Sequence, residues 1–426
     1  MMKDILLIFC LISAPIFRIF SQEHALSVKT GHSMTINDLS FSPDGRYLVS
    51  AGDDNILIIW DIISGKQVRI FEGHQAPVSQ ALFNATGDRM ASVSGDQSVI
   101  IWDVRTGDIL HRITIPAKSA RAISFTGDND LLFVAGDGIF SISTKTWEIS
   151  NLPNIPPGQD YNCVSATNAI IAAGSRNGRI HIYDPGSQQI IKTCHLASND
   201  INITGDGRYL AGAGLNGKLR RWDLQSKASG LLRLSIPADK WIDAYFSVSI
   251  SPDQQLMAGG NRNQKIYIYD LANGKTRFIL SGHSSKITAL EFSSDNKILA
   301  SAGKDRIINL WDMSTGQWIK SLKGFSGAIT CVTATDYDNC IAAGDQEGYC
   351  QVIELWPDGD MYTTRLPVGR LNKLLGWRTG VDNILFNPDT RKAYITGSVF
   401  REKKKVVISG SKQNLFPIYG IHQPMC

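Results

Sequence analysis

Residues 47–61 read YLVSAGDDNILIIWD, residues 89–103 read RMASVSGDQSVIIWD, and residues 298–312 read ILASAGKDRIINLWD. One fifteen-residue phrase written three times constrains this chain more than any single residue does. A catalytic site needs its special residues once, whereas self-similarity at a fixed period marks a repeat architecture. Trp60 and Trp102 stand 42 residues apart, and the 209 residues from Trp102 to Trp311 are close to five more such steps. Weaker copies fill the interval: LLFVAGDGIFSIS (131–143), IIAAGSRNGRIHIYD (170–184), YLAGAGLNGKLRRWD (209–223) and LMAGGNRNQKIYIYD (256–270). CIAAGDQEGYCQVIE (340–354) follows the third strong phrase, and a looser copy covers 383–409, for nine units in all.

Each unit has one inner grammar. An alternating stretch such as INDLSF (36–41) meets a turn such as SPDG (42–45). An apolar run, a second turn near Gly-Asp-Asp and a β-branched run ending in Trp-Asp follow. Short, evenly spaced strands with Pro, Gly and Asp turns predict an all-β repeat. Four strands per period of about 40–45 residues predict propeller blades. Outside the first 21 residues no stretch sustains a 3.6-residue apolar period, so helices should be few.

At these residues the chain resembles the WD-repeat β-propeller family. His32, His74 and His283, each preceded by Gly, stand 28 residues before Trp60, Trp102 and Trp311. Asp54, Asp96 and Asp305 stand six before the Trp, and Ser50, Ser92 and Ser301 four before the Asp. The resemblance implies that each set links within one blade, from Trp through Ser and His to Asp. Elsewhere the Asp place holds Asn177, Asn216, Asn263 or Glu347 and the Gly-His pair is missing, so those blades are expected to rely on hydrophobic packing and turns. The expected fold is an all-β WD-repeat propeller of eight blades over residues 25–367. The ALSVKTG segment (25–31) should close it as an outer strand, and residues 368–426 form a ninth unit or extension.

The first 21 residues differ from the rest: Met1-Met2-Lys3, then an apolar run, then Ser21 before a polar start. That pattern predicts a signal peptide at 1–21 and an exported, periplasmic or secreted protein, with an uncleaved membrane anchor as the competing reading. The six cysteines beyond Cys10 form no CxxC pair, so free thiols are expected rather than a zinc site. A net charge of +4 over 426 residues does not by itself point to nucleic acid.

The recurring His, Ser and Asp invite a catalytic reading, but three equivalent sets are structural rather than nucleophilic. No Gly-x-Ser-x-Gly elbow, phosphate loop or His-Glu-x-x-His appears. The expectation is therefore a non-enzymatic scaffold with no cofactor and no metal, acting as a monomeric propeller within a complex. It docks a protein or peptide partner on the face that carries the Gly-His loops. Asp53, Arg176, Arg262 and Lys304, each just before the Asp place, should line that face, and their basic lean suits an acidic partner. Trp241 and Trp377, in longer connections, are candidate anchors. The competing readings are a propeller enzyme or carbohydrate binder, which needs acids converging at the channel, and the regulatory half of a caspase-like peptidase system without its catalytic domain.

Overall fold

A computed structural model describes residues 31–324, apart from 153–158, 188, 227–230, 233 and 235–243, and gives backbone strands beyond residue 328. The first sheet has β1 (Ile36–Phe41), β2 (Tyr47–Gly52), β3 (Ile56–Asp61) and β4 (Gln67–Glu72), all antiparallel and in chain order. The middle strands are buried on both faces, which is why YLVSAG and ILIIWD read as apolar runs rather than alternations. β1 alternates because one of its faces meets the next blade and the other turns toward the axis.

Six more sheets repeat this plan, and the first strand of each lies beside the first strands of its neighbours. These inner strands are Val78–Phe83, Ala120–Phe125, Tyr161–Ala166, Ser198–Ile203, Tyr245–Ile250 and Ile287–Phe292. The core is divided into seven apolar clusters, one at each junction between successive blades. The seventh cluster joins blade seven to blade one, packing Ala289, Ala300, Ile308 and Leu310 against Ile36, Leu48, Ile58 and Trp60. Thr288 Oγ1 donates to the Ile36 carbonyl across the same seam.

The ring therefore has seven blades, not the eight expected from the sequence. The apolar cluster between blades one and seven leaves no junction for another sheet. Two further four-stranded sheets, beginning at Ile329–Ala334 and Val381–Asn387, follow the ring. Blade seven fills its own outer position with Trp318–Leu322. Residues 25–30 of the expected closing strand lie outside the described residues. No helix occurs among the described residues.

An inner belt ties the blades together. Asp38 accepts the N–H of Ala81 at 3.1 Å, Gln80 that of Ile123 at 2.7 Å, and Ser124 that of Ala166 at 2.9 Å. Ser165 accepts the N–H of Ile203 at 3.1 Å and Asp200 that of Val248 at 2.9 Å. Inner-strand N–H groups that face no sheet partner are thus satisfied by the preceding blade.

Candidate functional site

The tetrads are assembled as the resemblance implied, in blades one, two and seven. His32 Nδ1 lies 2.9 Å from Asp54 Oδ1, His32 Nε2 lies 2.7 Å from Ser50 Oγ, and Trp60 Nε1 donates to Ser50 Oγ at 2.8 Å. The set His74, Asp96, Ser92 and Trp102 has separations of 2.9, 2.8 and 2.8 Å. His283, Asp305, Ser301 and Trp311 give the same three values. The indole N–H can only donate, so the serine oxygen accepts it.

The aspartates hold the following loop as well: Asp54 accepts the Ser33 N–H at 2.8 Å, Asp96 that of Gln75 at 2.9 Å and Asp305 that of Ser284 at 2.9 Å. Burial alone would raise the Asp96 carboxyl. The Gln75 N–H, the Ser98 hydroxyl and His74 outweigh it and hold Asp96 at about 2. Asp54 and Asp305 are likewise lowered against the cost of burial by their histidines and backbone donors.

Blades four and six correct the expectation that packing and turns alone hold the blades without tetrads. In blade four the Tyr161 hydroxyl lies 2.7 Å from His181 Nδ1 and 2.9 Å from the Tyr183 hydroxyl. In blade six the Tyr245 and Tyr269 hydroxyls are 3.2 Å apart. Tyr183 and Tyr269 stand in the Trp place, so a buried phenol network replaces the tetrad. The signal was in the sequence, as a Tyr opening the inner strand paired with Tyr-Asp closing the third.

In five blades the turn before the Asp place has one geometry. The N–H groups of Asp53, Arg262 and Lys304 each donate to a carbonyl at the start of their own blade's inner strand, at 2.9, 3.1 and 3.1 Å. Gly95 and Leu215 do the same at 3.0 Å each. Arg176, Arg262 and Lys304 are exposed on these turns. Asp53 is partly buried and accepts from Asn37 Nδ2 at 2.8 Å. Lys286, whose carbonyl receives the Lys304 N–H, places its ammonium 4.7 Å from the Phe246 ring centroid. Trp241 and Trp377 lie outside the described residues.

Deeper in the channel, Asp38, Asp200 and Glu291 sense one another's charge from blades one, five and seven. Burial, with Asp200 adding to it, pushes Asp38 up to about 8 against the Ala81 N–H. Burial and the two aspartates push Glu291 to about 8, and burial takes Asp200 to about 6. The sequence reading weighed only the turns and found them basic. It missed acids inside alternating strands, where an apolar or small residue is the ordinary occupant. Two of the three acids serve the inner belt, and no group of metal-ligating side chains occurs among the described residues. Cys163 and Cys194 are free, buried thiols, raised by burial to about 12 and about 11.

A family model described as WD domain, G-beta repeat, matches residues 24–61, 65–103 and 274–312, the segments that hold the three tetrads. Over 42 residues the chain is 50% identical to Ribosome assembly protein 4 of Saccharomyces cerevisiae, covering 10% of this chain and 8% of that protein. Over 156 residues it is 27% identical to a Protein LST8 homolog of Drosophila melanogaster, covering 33% of this chain and 48% of the relative. Protein HIR1 of Kluyveromyces lactis matches at 41% over 46 residues, 11% of this chain and 5% of that one. The chain thus spans less than half the length of these relatives. Ribosome assembly takes place inside the cell, so the expected export, with its periplasmic and secreted alternatives, is corrected by these matches. Seven blades, three of them pinned by the tetrad that the family model spans, lead to one conclusion: the chain has the WD-repeat β-propeller fold, an architecture of non-catalytic scaffolds.

Proposed function

We propose that this scaffold docks an acidic segment of a protein partner on the face formed by the Gly-His loops and the turns before the Asp places. The observation that supports the reading is the repeated backbone bond that ties the turns of Arg262 and Lys304 to the start of their inner strands. Arg176 stands on the matching turn of blade four. The tetrad of blade seven, the phenol networks of blades four and six and the inner belt brace these blades before any partner arrives, so little ordering entropy opposes binding. The ring acts as a single copy within a larger complex, which suits a relative named for ribosome assembly.

An array of acidic peptides tests the reading against the wild-type ring and the combined Arg176→Ala, Arg262→Ala, Lys304→Ala variant. The triple variant should keep its melting temperature while losing about tenfold or more in affinity for its best peptide, and added salt should weaken the wild type more than the variant. Equal binding by both proteins, at low and high salt alike, removes this face from the proposal.

A further inference from the structure

On the opposite face, a cleft of about 470 Å³ opens between blades six and seven, lined among others by Asp253, Gln255, Asp270, Asp312, Met313 and Ser314. At three of the ring's other junctions a cation from the preceding blade's outer strand occupies this kind of place. From the outer strand of blade one, Arg69 Nη1 donates to the Thr106 carbonyl, in the turn after the Trp-Asp of blade two. From blade four, Lys192 Nζ reaches the Leu224 carbonyl at 3.5 Å, and from blade seven Lys320 Nζ reaches those of Ile62 and Ile63 at 3.0 and 2.7 Å. In strand register, the same position of blade six holds Phe278. Met313 and Ser314 match Ile62 and Ile63 and line the cleft, and Arg277, the cation that blade six brings to the lining, bonds neither turn carbonyl among the described residues.

A second substitution coincides with the first. Arg46 donates to Asp61 Oδ2 at 3.4 Å in blade one, and Arg208 to Asp223 Oδ2 at 3.3 Å in blade five. Blade six has Gln255 at that place. Asp270 Oδ1 accepts the Ala272 N–H at 2.8 Å, while its Oδ2, the atom that takes arginine elsewhere, has no donor among the described residues. Asp312 also uses Oδ1 alone, toward Ser314 and Thr315. The two cations on the lining are engaged: Lys297 pairs with Asp295 at 3.3 Å and Arg277 stacks on Phe278 at 5.3 Å.

We infer that this cleft receives an arginine side chain from a partner protein. Blade one satisfies the matching carboxylate and carbonyl with its own Arg46 and Arg69, blade five the carboxylate and blades four and seven the carbonyls, whereas blade six makes neither bond among the described residues. A guanidinium supplies several donors in a fixed fork, enough to span a carboxylate Oδ2 and the turn carbonyls together.

The test uses Ac-Gly-Arg-Gly-NH2 and its neutral citrulline counterpart, titrated into protein carrying methyl-labelled methionine and read at Met313. The arginine peptide should shift that signal at concentrations about tenfold or more below those the citrulline peptide needs. Phe278→Lys, which rebuilds the arm found in blades four and seven, should abolish the shift while leaving the melting temperature unchanged or higher. Gln255→Arg and Asp270→Asn each should weaken it, and they carry the test if Phe278→Lys does not fold. A Met313 signal that ignores both peptides, one that responds to them equally, or undiminished binding in the folded variants overturns the inference.

Discussion

In blades one, two and seven the same chain of hydrogen bonds runs from an indole to a carboxylate, and in blade two its His74 and Asp96 determine how acid acts on it. His74 is buried and its pKa is lowered by that burial, with Asp96 opposing, while Asp96 itself sits at about 2. Both folded groups bind protons less readily than in the unfolded chain, so both contribute stability that is complete at neutral pH and shrinks on acidification. For Asp96 the loss runs from about pH 4, the unfolded carboxylate range, down to about 2. Asp96→Asn should destabilise by about 1–3 kcal/mol at pH 7, where a charge-assisted acceptor is lost. Urea melts at pH 7 and pH 3 should show that difference narrowing, and a constant difference means that Asp96 is not the titrating member. Trp102, 1% exposed and edge-on to Phe71 at 5.5 Å, should cost about 3–5 kcal/mol when changed to Ala, measured in the same melts. At this scale the sequence was legible wherever side chains recur at fixed spacing, as His, Ser, Asp and Trp do. The pairings of Tyr161 and Tyr245 left a fainter signal, two aromatic residues on different strands of one blade rather than a spaced motif.

Between elements, the outer strands carry arms that the blade grammar does not announce. Arg69, Lys192 and Lys320 each cross to the next blade's Trp-Asp turn, and His111 stacks on Trp147 at 4.3 Å in the corresponding place. Where the turn holds a glycine the arm passes close: a Cβ on Gly107, at φ +84°, would stand 2.9 Å from the Arg69 guanidinium. The arm of blade seven has a special position, since Lys320 bonds the seam where the last blade meets the first. Lys320→Met keeps the apolar stem and removes two charge-assisted bonds, so a loss of about 1.5–3 kcal/mol is expected. Hydrogen exchange should locate the added opening in the third strand of blade one and the outer strand of blade seven. Uniform loosening of all blades would show instead that the seam is no weaker than any other junction. Arms of this kind escape sequence reading because Arg, His, Lys and Phe share the position. What recurs in these blades is reach toward the next blade's Trp-Asp turn, not residue type.

For the whole molecule, periodicity identified the units but not the number that close. Closure is decided by the face that the last blade presents to the first, and Ala289, Ala300 and Ala302 let Ile36, Leu39 and Trp60 approach closely enough to complete the seventh cluster. No repeat count contains that information, because alanine is an unremarkable residue within a blade strand. The same seam brings Glu291 of blade seven into the field of Asp38 and Asp200 across the channel. Glu291 occupies the inner-strand place from which Ser124 and Asn202 accept the next blade's N–H groups, yet it makes no such bond itself among the described residues. With Asp38 and Glu291 both at about 8, the folded ring keeps protons that the unfolded chain releases near pH 4. Stability attributable to these groups should therefore fall as pH rises from about 4 to about 8 and level off above. Glu291→Gln resembles the protonated acid and cannot ionise, so it should match the wild type near pH 4 and exceed it in stability at pH 9. Urea melts across that range would show the two curves separating as pH rises. Parallel curves would mean that Glu291 ionises as readily in the ring as in the open chain, and that the channel holds its charge without cost to closure.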